Sequence, residues 1–459
     1  MKSEKLAAVV FLFLCSSLYT TTCRAQADST KANKITLGLN FLAHGEICGG
    51  GLPKSTNQEV SYPNENLSAF LFGRTRLEVG YERKWLEAKV VLQNQAIWGM
   101  QSSMTLNLYE GWVKMKAKSG LFAQVGRLAL SYDDERIIGT NDFATASLSH
   151  DVALLGYEGH GHKVHGIFAF NQNGDNVYTG TYYNNGSQYY KTMQTVWYHY
   201  DFPKFPLGAS LLFMNIGMQA GEYQLVDKQM LPDKQNPPRT EYQQLFGGYV
   251  TYHPKYLMVE GSYYRQTGQV MVADMHCMPI RAWMASAKVT IMPSDRYGFE
   301  LGYDHLSGDD FVPVTYGGTY GMPRHSVQGG FTPLYGSRTK FYGIMDYFYQ
   351  SAYINGFTPG LQNAFVGVIG SPIPKLSGRV AYHYLAVATT LADLGSTLGH
   401  SMDLNVQYDF TKDISLMAGY TLMKGTETMD RLKQGSSSKH AHWGWFSLLV
   451  SPTLFTTRF

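Results

Sequence analysis

Apolar and polar residues alternate along much of this chain with a period of two. Leu77 and Val79 alternate with Arg76 and Glu78, and the segment after the next turn repeats the pattern around Lys89. Side chains of an extended strand point alternately to opposite faces, so each segment predicts a strand with one apolar and one ionic face. In a soluble sandwich the apolar face would pack on a core, whereas in a membrane barrel it would face lipid and the ionic face would line a wet lumen.

The number of such segments, and the connections between them, favour the barrel. The pattern predicts eighteen strands, at residues 34–43, 68–81, 84–97, 106–117, 120–127, 151–158, 163–171, 191–201, 205–217, 240–252, 255–266, 280–291, 296–305, 361–370, 375–388, 399–410, 413–423 and 442–455. Short and long connections alternate between these strands, which is typical of a barrel with tight turns at one end and loops at the other. The predicted fold class is therefore an all-β transmembrane antiparallel up-and-down β-barrel of about 18 strands.

The start of the chain predicts a cleaved signal peptide at residues 1–27. Lys2 precedes an apolar run, and the small residues Ala25 and Ala27 mark a cleavage site. The run is shorter than the roughly 20 residues that a helix needs to span a bilayer. Residues 28–459 would then form a single barrel, because soluble domains usually divide beyond about 250–300 residues.

Composition agrees with an exported barrel. The 33 Tyr, 24 Phe and 47 Gly suit aromatic girdles and a strand-rich architecture. A net charge of only +3 gives no reason to expect nucleic acid as a partner. The chain ends in Phe459, and a C-terminal aromatic residue resembles the recognition signal for the barrel-assembly machinery. We expect a location in the cell outer membrane, with membrane lipid and that machinery as partners.

Two cysteines remain after removal of the signal. Cys48 and Cys277 are predicted in segments outside the strands, on one side of the barrel. In an oxidising compartment they either pair or stay as free thiols, and spacing alone leaves both alternatives open.

Two stretches break the alternation and predict long loops. The first, near residues 127–150, carries Arg127, Asp133, Asp134, Glu135 and Arg136. Such dense mixed charge predicts a loop that folds into the lumen and is held by ion pairs. The second, near residues 306–360, is predicted on the outer side. Its aromatic residues would stack on sugar rings, pack on one another or face the lipid rim.

The first of these loops carries a family resemblance. The spacing Gly-Arg-x-x-Leu-x-Tyr-x-Asp-x-Arg-x-x-Gly at 126–139 resembles the signature of the alginate-export family of outer-membrane porins. The flanking residues, with Glu110 before the loop and His150 after it, are similar too. The resemblance implies a monomeric eighteen-stranded barrel whose arginine-rich lumen passes polyuronate chains outward. It also implies that Arg127 and Arg136 are among the charges of the constriction.

The charges on the predicted inner face give a set of candidate residues. The candidate pore-lining and constriction residues are Arg74, Arg76, Glu78, Lys89, Glu110, Lys114, Arg127, Asp133, Asp134, Glu135 and Arg136. A uronate polymer would prefer a cationic lining able to form bidentate contacts, but acids are about as numerous here as bases. A general solute porin therefore fits better, unless the arginines cluster and the acids lie at the rims. Each arginine is alternatively the structural partner of a nearby carboxylate on the next strand.

The sequence predicts a channel rather than an enzyme. Its function would be passive, charge-filtered passage of hydrophilic solutes, including acidic saccharides such as alginate. The alternative is an outer-membrane barrel that acts as an enzyme or adhesin through its long surface loops. No nucleophile, base and orienting group can be placed together by spacing, and we predict no metal, no cofactor and no catalytic residue.

Overall fold

The computed structural model describes residues 33–50, 67–100, 103–143, 147–171, 190–221, 223–226, 229–271, 277–309, 315–316, 319–320, 327–337, 340–343, 345, 358–391, 393–433 and 437–459. The predicted signal peptide at residues 1–27 lies outside the described residues. Among the helices of the described part of the chain, none is long and apolar enough to cross a membrane.

Eighteen long strands form the wall of the molecule. They are β1 (Lys34–Gly49), β2 (Leu67–Arg83), β3 (Leu86–Ile97), β4 (Thr105–Lys116), β5 (Leu121–Leu128), β6 (His150–Gly159), β7 (His162–Phe170), β8 (Thr192–Asp201), β9 (Leu207–Ala220), β10 (Arg239–Tyr252), β11 (Leu257–Met271), β12 (Ala282–Ile291), β13 (Tyr297–Leu306), β14 (Leu361–Ile373), β15 (Leu376–Ala386), β16 (Thr397–Thr411), β17 (Ile414–Gly425) and β18 (His440–Val450). Shorter strands are Tyr223–Val226, Gln229–Pro232, Cys277–Pro279, Thr315–Tyr316, Thr319–Tyr320 and Thr453–Arg458, and the helix α1 spans Glu427–Lys433.

The wall is closed. Each long strand pairs antiparallel with the next one in sequence, and β1 pairs with both β18 and the following short strand Thr453–Arg458. The chain therefore forms an antiparallel barrel of eighteen strands, which confirms the predicted fold class. The one long strand predicted at residues 442–455 is divided near Pro452, which has no backbone N–H to donate to the ladder.

Apolar side chains cover the outside of the barrel. Leu301, Phe299 and Met402 are all more than half exposed, whereas Glu300 and Asp403 between such positions face inward and are buried. This is the alternation predicted from the sequence, with the apolar face outward. Because nothing in the described part of the chain covers that face, hydrocarbon is the environment it suits.

The inner wall differs from the prediction on one side. The inward-facing Met214, Ile216, Leu245 and Met284 are apolar and at most 1% exposed. They belong to an apolar cluster whose wall residues lie mostly on β5–β13, with others on β14–β18. The predicted ionic inner face was therefore wrong on this side, because connecting segments fold inward here and need a dry surface to pack against.

The cysteine prediction was wrong in one respect. Cys48 lies within β1, which runs six residues beyond its predicted end, and Cys277 begins the short strand Cys277–Pro279. Both are free thiols, and the Sγ of Cys48 lies 2.8 Å from the Oγ of Ser68.

Candidate functional site

Two connecting segments meet inside the barrel. We call the described residues between 129 and 149 the inner loop, and the described residues between 327 and 345 the second inner segment. The amide of Tyr335 donates to the carbonyl of Ile137 at 3.0 Å, and the amide of Gly139 donates to the carbonyl of Tyr335 at 2.8 Å. These bonds join two segments about 200 residues apart into one parallel bridge across the lumen.

Arg136 lies at the centre of this bridge. Its guanidinium contacts the carboxylates of Asp134 at 3.1 Å and of Asp304, on β13, at 3.0 Å. It also donates to the Tyr342 hydroxyl at 2.8 Å and lies 4.0 Å from the centre of the Phe341 ring. Burial alone would lower the pKa of Arg136, but Tyr342, Asp304 and Asp134 together raise it well above its usual value. The guanidinium is therefore a permanent charge that ties both inner segments to the wall.

Asp142 anchors the other end of the inner loop. Its carboxylate accepts from Arg76 at 2.8 Å and from Arg74 at 3.2 Å, and both arginines are buried on β2. The Ser147 hydroxyl joins the same group, donating to Asp142 at 2.9 Å. Arg76 is further fixed by a bond to Gln93 at 2.8 Å. The two arginines that the sequence predicted for the pore thus hold the loop in place.

Aromatic rings surround this anchor. Phe143 packs against His44 at 4.8 Å, Trp445 at 5.0 Å and Trp443 at 6.1 Å between ring centres. These three partners lie on β1 and β18, so the inner loop reaches the seam where the barrel closes.

The acidic residues of the inner loop all have partners. Glu135 accepts from Lys340 at 2.6 Å and from Ser337 at 2.7 Å, which ties it to the second inner segment. Asp133 accepts from the indole N–H of Trp197, on β8, at 3.1 Å. Asp134 is engaged with Arg136, as described above. The loop is thus held at β2, β8 and β13 and spans the lumen.

A second set of predicted residues lines the lumen near the turn end of β2–β4. The ammonium of Lys89 lies between the carboxylates of Glu110, at 2.6 Å, and Glu78, at 3.8 Å. Lys114 lies 3.8 Å from the centre of the Phe122 ring. These four charges lie on the inner face of β2–β4 and form a balanced strip rather than a cationic ladder.

Arg127 was wrongly predicted as a constriction residue. Phe122 and Leu128 of β5 face inward and are buried, so Arg127 shares the outward face with the exposed Val125. Its guanidinium makes a bidentate contact with Asp151 at 2.8 and 2.6 Å, directly across the β5–β6 pair. The alternation of the strand therefore removes Arg127 from the lumen and makes it a cross-strand ion pair.

Three residues outside the predicted candidate set complete the site. Asp142, Asp304 and Tyr342 supply the contacts that fix Arg74, Arg76 and Arg136. Asp142 was visible beside the charged stretch. Asp304 and Tyr342 are 168 and 206 positions away from Arg136, and only the closed barrel brings them to it.

Two Ser–His–carboxylate arrangements occur on the inner wall. The Nδ1 of His44 lies 2.6 Å from the Ser447 hydroxyl, and its Nε2 lies 2.9 Å from Glu46. His199 makes the same pair of contacts with Ser210 and Asp201, both at 2.8 Å. In each case the serine lies directly across the strand pair and the carboxylate lies two residues along the strand. The repetition follows from strand geometry. Ser447, moreover, is only 1% exposed, so we assign both arrangements a structural role.

The Asp142 anchor predicts a pH dependence. Partial burial alone would raise the pKa of Asp142, but the charges of Arg74 and Arg76 lower it overall. A carboxylate with a lowered pKa contributes stability above its ordinary value of roughly 3.9 and loses it as the pH falls through the lowered value. Asp142→Asn removes this carboxylate charge, so the unmodified chain and the variant are expected to differ in reversal potential down to about pH 4 and to converge below it. Convergence of the two already at pH 6 would contradict this pairing.

The comparisons with known proteins support the barrel. No protein-family profile matches the chain, and no curated protein matches it. Among solved structures, Pseudomonas aeruginosa OccK9 (OpdG) matches with a TM-score of 0.57 at 12% identity, covering 92% of this chain and 98% of its own. Acinetobacter baumannii OccAB1 matches with a TM-score of 0.57 at 11% identity, covering 94% and 100%. Pseudomonas aeruginosa OccK11 (OpdR) matches with a TM-score of 0.55 at 13% identity, covering 92% and 96%.

At such low identity the likeness shows the shared fold. The fold and the apolar outer face together identify the chain as an outer-membrane β-barrel.

Proposed function

We propose that this barrel is a porin that gives passive passage to hydrophilic solutes. The observation that carries the proposal is a closed barrel with an apolar outer face and a partly polar lumen narrowed by two inner segments. Polar side chains of β15 and β16 face a recess against the inner loop. Polar side chains of β1–β3 line a second recess, near the turn end. Narrowing by an infolded loop supports a filter rather than a wide, open pore.

The charge balance supports weak selection by charge. Among the described inward-facing cations, Arg379 pairs with Glu300, Lys288 with Glu260 and Lys340 with Glu135, all at 2.5–2.6 Å. Fully paired cations attract a polyanion less than free ones do. Passage of an acidic saccharide such as alginate therefore stays a prediction, and the pairing favours solutes without strong charge.

Conductance in planar lipid bilayers tests the proposal. We expect the detergent-purified chain to give discrete current steps in KCl, with a reversal potential close to zero in a salt gradient because the lumen charges are balanced. Heat-unfolded protein in the same detergent is the control. A well-inserted barrel that carries no ion current would contradict the porin function. A strongly anion-selective reversal potential would instead favour the acidic-saccharide version.

A further inference from the structure

A recess of about 490 Å³ lies between the inner loop and the wall of β15–β18. Its lining combines two aromatic side chains, Trp445 and Phe143, with the polar side chains of Asn405, Gln407 and Arg379. The volume lies within the range of about 300–1,000 Å³ that is typical of small-molecule sites. The mixture of aromatic rings with a few convergent polar groups is also typical of such sites.

The indole of Trp445 lies flat against the wall because the residue opposite it, Gly419, has no side chain. Trp445 lies directly opposite Gly419 on the β17–β18 pair. A Cβ added at Gly419 would lie 2.2 Å from the indole Nε1 and 2.4 Å from its Cε2, so the ring covers the glycine. Any larger residue at 419 would push the ring off the wall. Trp445 remains partly exposed, so it offers apolar surface to the recess.

Polar side chains lie beside Trp445 at the same height on the wall. Gly419 pairs with Asn405 on β16, and Asn405 pairs with Arg379 on β15. An aromatic ring, an amide and a guanidinium thus lie along one strip of the barrel. A pyranose ring has apolar C–H faces and a polar edge of hydroxyls, so it matches a strip of an aromatic surface beside hydrogen-bonding groups.

The charges around the recess favour an uncharged sugar. Arg379 is bonded to Glu300 and Lys340 to Glu135, so neither cation is left over for a ligand carboxylate. Within the part of the chain that the structure describes, the Oδ1 of Asn405 and the Nε1 of Trp445 have no hydrogen-bond partner. A ligand hydroxyl can donate to the Asn405 Oδ1 after a small rotation of that side chain, whereas a carboxylate only accepts and cannot.

We propose that this recess is a binding subsite for an uncharged pyranose ring of a saccharide in transit. The proposal rests on the porin function and adds the class of solute. In it, Trp445 provides the stacking surface, Asn405 and Arg379 bond the hydroxyls, and Gly419 is the residue that permits the indole position.

Calorimetry with detergent-purified protein tests the subsite without requiring a current. The probes are maltotriose, which is neutral, and an oligouronate of the same length, which is acidic. We expect maltotriose to bind and Trp445→Ala to weaken that binding roughly tenfold, with a smaller loss for Trp445→Phe, which keeps a ring. Gly419→Val is expected to weaken binding as Trp445→Ala does, although the tryptophan is still present. Trp85→Ala, at an exposed turn tryptophan, is the matched control and should leave the affinity unchanged.

Each outcome has one meaning for the subsite. Absence of maltotriose binding, or binding that Trp445→Ala and Gly419→Val leave unchanged, overturns it. Binding of the oligouronate alone overturns the choice of an uncharged ligand. Bilayer recordings on the same preparation separate the two proposals. Current without maltotriose binding contradicts the subsite and supports the porin function. Maltotriose binding without current contradicts the porin function and supports a saccharide site.

Discussion

Replacing Arg136 with alanine is expected to release both inner segments and raise the conductance of the barrel. The guanidinium is the common partner of Asp134, Asp304 and Tyr342, and it lies deep in the lumen. Removing it leaves the buried carboxylate of Asp304 without its cation, and breaking a buried pair in this way costs about 3–5 kcal/mol. Larger and noisier single-channel currents should result, together with a lower temperature for the heat-induced mobility shift in detergent gels.

Arg127→Ala is the matched control for this experiment. It also removes an arginine from an ion pair, but its side chain faces outward and is 29% exposed. Because the pair lies outside the lumen, we expect Arg127→Ala to leave the conductance unchanged. Arg136→Lys keeps the charge and loses the planar fork of the guanidinium. Its conductance should therefore lie between those of Arg127→Ala and Arg136→Ala. If Arg136→Ala conducts like the unmodified chain, the bridge does not obstruct the pore.

Asp142→Asn is expected to turn a balanced lumen into an anion-selective one. It leaves Arg74 and Arg76, with side chains only 2% and 6% exposed, facing each other without the carboxylate between them. Two buried like charges repel strongly, so the end of the inner loop should detach and expose positive charge to the pore. The reversal potential in a KCl gradient measures this shift toward chloride.

A second substitution tests the cause of that shift. Adding Arg76→Gln to Asp142→Asn removes one of the two facing charges and should bring the selectivity part of the way back. Glu82→Gln, at an exposed pair with Lys34 on the turn end, is the control that removes a carboxylate without touching the inner loop. A reversal potential that Asp142→Asn leaves unchanged would mean that the two arginines do not face the permeation path.

The wall of the barrel was predictable from sequence because one period of two governs nearly every strand. All eighteen predicted strands are present, and their ends differ by only a few residues in most cases. The apolar inner wall was not predictable, since in Leu211-Leu212-Phe213-Met214 every position is apolar. Leu211 and Phe213 face outward, whereas Leu212 and Met214 are buried inside. A continuous apolar run does not say which of its two faces meets lipid.

The site was predictable only in its composition. The charged loop, Arg74 and Arg76 were visible as residues that belong in a lumen, but their partners depend on contacts across the barrel. For Arg127, by contrast, the strand pattern alone was sufficient. Its position two residues after Val125 already placed it on the outer face, and the family resemblance, taken alone, pointed the other way.

The seam between β1 and β18 has a consequence for how the molecule forms. His44 and Ser447, which face each other there, are 403 positions apart, and the backbone of Phe459 exchanges hydrogen bonds with Asn33. Until that last strand docks, two edges of unpaired amides and carbonyls would lie in hydrocarbon, which does not tolerate them. Assembly should therefore be slow and concerted, because β1 cannot complete its backbone hydrogen bonds until the strands at the end of the chain have formed.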